Sequence, residues 1–143
     1  SDGQVEIVRT TVLSSESSDT FATVHYQESL EVEFLCRFAE GCESATIQMV
    51  IWNQEMFPVA DVLSDGMKRF EINPGPNREC LVRARIPDCE LNSGSYSVSI
   101  IILSCDGSVT HVRRDRGLVL QVVSNSSSAC AITTTAEWSN DLC

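Results

Sequence analysis

Trp52 and Gln48 share one alternating phase of an extended run at 46–52, and Arg83 and Arg85 share one phase of another at 79–86. Arg37 takes the outward phase of a run at 29–38, and Ser99 the less apolar phase of a run at 96–103. Side chains of these types suit a sugar. An apolar ring face stacks on an indole, while vicinal hydroxyls, or a carboxylate or phosphate substituent, take paired hydrogen bonds from Arg and Gln. Gathered on one sheet face, Trp52, Gln48, Ser99, Arg37, Arg83 and Arg85 would form an aromatic plate among fork-shaped donors. Taken singly each has a plainer role, since Trp52 can cap a core edge and the arginines can solvate a sheet. Chemistry that makes or breaks bonds is poorly equipped. There is no G-x-S-x-G elbow, P-loop, H-E-x-x-H or D-x-D-x-D-G calcium loop, and His25 and His111 are the only histidines. Glu31 and Glu33 share a face, but a glycosidase pair needs its second carboxyl across a cleft. The sequence assigns no catalytic residue, metal or cofactor.

The elements that must position these side chains are strands. The stretch 91–103 opens with the turn cluster Asn92-Ser93-Gly94, then sets Tyr96, Val98, Ile100 and Ile102 on one face and Ser97, Ser99, Ile101 and Leu103 on the other. A Gly two residues before a Tyr is the local chemistry of a tyrosine corner, in which the phenol bonds back to the preceding turn. Val98 stands where an antibody-type domain carries its second disulfide cysteine. Residues 29–38 alternate Leu30, Val32, Phe34 and Cys36 against Glu31, Glu33 and Arg37. Further strands are expected at 4–13, 21–26, 46–52, 56–62 (interrupted by Pro58), 70–72, 79–86, 117–124 and 130–138. Polar loops and turns are expected at 14–20, 27–29, 39–43, 53–55, 64–66, 73–77 and 104–115, and a Ser-rich spacer at 125–128. Eight to ten short strands at hairpin spacing, with no amphipathic helix, predict one all-β domain over 1–143, an antiparallel sandwich of immunoglobulin-like or jelly-roll type. The last strand, 129–138, follows a spacer too long for a tight hairpin. It either folds back on its own sheet or exchanges with a second copy.

The chain of 143 residues is long enough for a core without staples. Its net charge of −10 argues against nucleic acid or an anionic membrane surface as partner. No run approaches the roughly 20 apolar residues of a membrane span. Of the basic residues only Lys68 is not Arg, which favours recognition of paired oxygen acceptors. Seven cysteines without a C-x-x-C, Cys36 and Cys80 in apolar phases, point to free thiols and a reducing compartment. A start at Ser-Asp-Gly without Met suggests a piece of a longer protein.

The chain as a whole resembles the C-terminal carbohydrate-binding domain of Wzt, the ATP-hydrolysing subunit of the ABC transporters that export O-antigen polysaccharide. The resemblance rests on Tyr26-Gln27-Glu28-Ser29-Leu30-Glu31-Val32 where the family opens its second main strand with Gly-Glu, on Ala45 to Trp52 before a turn, on Leu91-Asn92-Ser93-Gly94-Ser95-Tyr96, and on a Ser-rich spacer leading to Glu137-Trp138. Gln27 replaces the family's Gly, and no Gly follows Trp52. The resemblance implies a sandwich of eight or more strands and a homodimer with exchanged C-terminal strands. It also implies non-catalytic recognition of the modified non-reducing end of the glycan in the cytoplasm, beside a parent ATPase and a membrane transporter subunit. Its family-level pocket lies on a concave sheet face, but no pocket residue carries over by motif. Two rivals remain: an extracellular immunoglobulin-like interaction domain with some of Cys36, Cys80, Cys89 and Cys105 bridged, and a sandwich-fold enzyme acting on glycosides.

Overall fold

Period-two alternation gives each strand one apolar face, and two such faces close on each other. The computed structural model describes residues 3–13, 21–42, 44–63, 70–71, 78–104, 106–123 and 137–142. Within them lie β1 (Val5–Val12), β2 (Phe21–His25), β3 (Leu30–Phe38), β4 (Ser44–Trp52), β5 (Pro58–Leu63), β6 (Phe70–Glu71), β7 (Glu79–Ile86), β8 (Gly94–Leu103), β9 (Thr110–Val123) and β10 (Glu137–Leu142). One sheet has four strands in the order β1-β3-β7-β10; the other runs β2-β9-β8-β4-β5, with β6 paired to the start of β4. The expected all-β sandwich is therefore present. One pairing departs from antiparallel, because β2 lies parallel to β9 at the edge of the larger sheet.

The core lies between the sheets. Leu30, Val32, Phe34 and Cys36 meet Ile47, Met49, Ile100, Ile102, Leu118 and Leu120 there, all buried. Each large apolar side chain removed from water contributes about 1.5–3 kcal/mol. Trp138 of β10 stands opposite Ala84 and joins the same core. Arg114 links the layers by donating from Nη2 to the Ile7 carbonyl at 3.0 Å.

Tyr96 sets the angle at which β8 begins. Its phenol donates to the Asn92 carbonyl at 2.7 Å, the tyrosine corner expected from Gly-x-Tyr. Gly94 suits the turn because its φ is +152°, a conformation that side-chain-bearing residues rarely adopt. Gln27 stands where the resemblance expects glycine. Gln27 has φ 65°, and in the turn after Trp52, where a glycine is also missing, Met56 has φ 63°.

Three boundaries differ from expectation. Residues 104–115 are not one loop: Asp106 accepts from the Ser104 and Ser108 hydroxyls and the Ser108 amide in a tight turn, which holds its carboxyl down at about 2. From Thr110 the polar run continues as β9, because pairing with β8 rather than composition makes it a strand. Pro58 begins β5 instead of interrupting it, the position where an edge strand tolerates a missing N–H. The last strand is Glu137–Leu142, four residues further on than expected at its end. The expectations for 14–20, 64–66, 73–77, 125–128 and 129–136 lie outside the described residues.

Cys36, Cys42, Cys80 and Cys89 are buried free thiols. Cys36 and Cys80 face each other across β3 and β7. Burial, reinforced by Cys80, pushes the Cys36 thiol up to about 12. The bridges that the immunoglobulin-like rival needs at Cys36, Cys80 and Cys89 are thus not formed. No described helix is long and apolar enough to cross a membrane.

Candidate functional site

The six side chains read as one constellation fall on opposite outer faces of the sandwich. Arg37 on β3 and Arg83 and Arg85 on β7 belong to the four-stranded sheet, whereas Gln48 and Trp52 on β4 and Ser99 on β8 belong to the larger one. Strand phase places a residue outward but cannot say which sheet its strand joins. The single-face arrangement is therefore corrected to two separate groups.

Arg37 and Arg83 are engaged with carboxylates. Arg37 donates to Glu79 at 2.9 Å and to Glu6 at 3.2 Å. The Glu79 bond foremost raises its pKa further. Arg83 Nε donates to Glu33 Oε2 at 2.8 Å. Arg85 stands in register between Glu31 on β3 and Glu137 on β10. The Arg37 and Arg83 forks thus meet acids of their own sheet in solvated pairs that contribute little stability.

The other group is ordered around the indole. Trp52 Nε1 donates to Ser99 Oγ at 2.9 Å, and the Ser99 hydroxyl donates to Asp115 Oδ1 at 2.8 Å. Asp115 Oδ1 also accepts from Arg113 Nε at 2.9 Å. Trp52 is in register with Ser97, so a bond to Ser99 draws the half-buried indole along β8. Ser99 is only 1% exposed, although it points away from the core. The hydrogen bond from Ser99, then that from Arg113, holds the Asp115 carboxyl below its ordinary value. Gln48 donates from Nε2 to both carboxylate oxygens of Asp61 on β5, at 2.9 and 3.0 Å.

Asp115 reaches Ser99 through a β-bulge. Val98 pairs with Leu118 and Ile100 with Arg114, so Asp115, Arg116 and Gly117 all stand opposite Ser99. Gly117 lets the bulge close down on β8, since a Cβ would lie 2.8 Å from Ile100 Cδ1. Arg116 has φ 53°, rare for a residue with a side chain. It overhangs a cavity of about 330 Å³ whose walls include Asn53, Gln54 and Met56 of the β4–β5 turn and Ser95, Ser97 and Val119 of the sheet.

A transverse row completes the surface. Phe21, Val119, Ser97, Trp52 and Pro58 are successive register partners from β2 to β5. At about 4.8 Å per strand, Phe21 and Trp52 stand roughly 14 Å apart. Ser97 and Val119 lie between them.

A family model described as the Wzt C-terminal domain matches residues 1–133. The chain belongs to this family. A crystal structure of the C-terminal domain of wzt superposes with a TM-score of 0.72 at 14% identity, over 90% of this chain and 78% of that one. None of the curated proteins matches. As a Wzt C-terminal domain, this chain keeps the sandwich, with Trp52, Gln48 and Ser99 on one sheet and Arg37, Arg83 and Arg85 on the other. Sequence reasoning missed Asn53, Gln54, Ser95, Asp115 and Arg116. Asp115-Arg116-Gly117 ahead of an apolar alternation was the one available hint, because a glycine next to a strand often marks a bulge.

Proposed function

We propose that this domain binds, without catalysis, the modified non-reducing end of an O-antigen polysaccharide and so confers substrate recognition on an ABC exporter. Membership of the Wzt C-terminal domain family supports the transporter setting. The observation that carries the reading is the pinned indole: Ser99 and Asp115 fix Trp52 along the sheet beside a polar cavity. A plate held in place loses little freedom when a sugar ring stacks on it, and water does not have to be replaced by a moving side chain. Cavity walls of hydroxyls and amides match a ring edge of hydroxyls. In this reading the outer face of the larger sheet takes the terminal sugars, and the domain works on the cytoplasmic side, beside the parent ATPase and the membrane subunit.

The same reading includes a homodimer with exchanged C-terminal strands. β10 pairs regularly with β7, from Glu137 opposite Arg85 to Leu142 opposite Cys80, with Trp138 in the core. A partner's β10 would find the same seat. Light scattering at micromolar concentration tests it: a dimer is expected, and a monomer removes this part.

Calorimetric titration with the capped polysaccharide against the same polymer lacking its cap tests the function. Saturable binding at least about tenfold tighter for the capped form is expected, a difference of about 1.4 kcal/mol. Equal affinities would reject end recognition, and release of reducing sugar would reject the non-catalytic reading.

A further inference from the structure

We propose that the cavity beside Trp52 receives the acidic group of a sugar residue, carboxylate or phosphate, with Arg116 as its cationic partner. The inference rests on the glycan-binding reading of this face and names the chemistry of the sugar. Its first support is the contrast among arginines. Arg37, Arg78, Arg83, Arg113 and Arg114 all donate to protein oxygens. No described residue accepts from Arg116. Arg9 shares that condition, but it stands on β1 and is not among the cavity walls.

The second support is the donor bias of the cavity. The Phe57 amide donates to Asn53 Oδ1 at 2.9 Å, so the oxygen of Asn53 is used and its NH2 group is left to donate. The assignment is secure because a backbone N–H can only donate. None of the lining residues is Asp or Glu. The adjacent Asp115 is already bound by Ser99 and Arg113. In a chain of net charge −10, a cavity lined by the Arg116 guanidinium and the Asn53 NH2 group, with no carboxylate among its lining residues, is a local exception. Guanidinium and amide donors together match a planar carboxylate or the oxygens of a phosphate.

The third support is backbone placement. Arg116 adopts φ 53° at the crest of the bulge. Gln27, Met56 and Arg78 share the left-handed backbone, but of the four only Arg116 brings a cationic side chain to the cavity wall.

The test uses methyl glucoside, methyl glucuronide and glucose 6-phosphate as probes, with binding followed by chemical-shift changes across the intact domain. Shifts at Trp52, Ser97 and Arg116 are expected, with one or both acidic probes binding at least about tenfold tighter than the glucoside, a preference that weakens as salt rises from about 20 to about 200 mM. Preference for only the glucuronide or only the phosphate identifies the source of the anion. Arg116→Asn, which tolerates left-handed backbone, should bring the acidic probes to within about twofold of the glucoside, and Arg116→Lys should restore part of the preference. Equal binding of all three probes at this face would overturn the acidic-sugar inference and leave the platform reading standing. So would a preference that survives in Arg116→Asn. Shifts nowhere on this face, with any probe, would overturn both.

Discussion

On the four-stranded sheet Arg37 lies between Glu6 and Glu79 and Arg83 lies on Glu33, whereas on the six-stranded sheet Trp52 is tied through Ser99 to Asp115 and Arg116 overhangs a cavity. Both faces are built of outward side chains at period two, and both carry arginines. They differ in where the arginine N–H groups go. On the first face the acids of neighbouring strands answer them, leaving a solvated ladder. On the second Asp115 takes Arg113 and fixes an aromatic ring through Ser99, while Arg116 lines a cavity with no described acceptor. Residue type alone does not make a binding surface; the partner already in reach decides whether a charge is free for a ligand.

The largest expected effect breaks the second face. Trp52→Ala should cost about 2 kcal/mol of glycan binding, roughly thirtyfold in Kd, with the fold retained by circular dichroism. Ser99→Ala comes next. It removes the acceptor of the indole N–H and the donor to Asp115, and should lower stability by about 1–3 kcal/mol in urea unfolding while weakening binding less than Trp52→Ala. The pH dependence sharpens the same point. Asp115 has its folded pKa lowered, so its contribution is present above the unfolded value and lost as pH falls through the folded one. The indole N–H resonance of Trp52 should hold constant from pH 7 to about 4 and move only below. In Asp115→Asn it should be displaced throughout.

The first face supplies the opposite outcome. Arg37→Ala and Arg83→Ala should leave glycan affinity unchanged in calorimetry and thermal stability nearly unchanged. The smallest effect concerns neither face. Gln27→Gly relieves a left-handed backbone at φ 65° and should raise Tm by about 2–4 °C.

How much of this was legible follows from the range of each interaction. The Tyr96–Asn92 corner was readable because its whole chemistry lies within five residues. Inward phases such as Leu30, Val32, Phe34 and Cys36 were readable because period two is local. Sheet membership was not. β3 and β4 are consecutive yet lie in different sheets, and β7 pairs with β3 rather than with β4, so Arg83 and Trp52 parted company for reasons set by long-range pairing. Arg116 was unreadable for a related reason: its role depends on Asp115, Arg116 and Gly117 all facing Ser99, a register that no stretch of β9 encodes by itself.

Chemical-shift mapping of the intact domain during titration with capped polysaccharide tests the account most directly. Perturbations should concentrate at Trp52, Asn53, Ser97, Ser99 and Arg116, with Arg37, Arg83 and Arg85 still. Perturbations centred on those three arginines, with Trp52 and Ser99 unmoved, would contradict it.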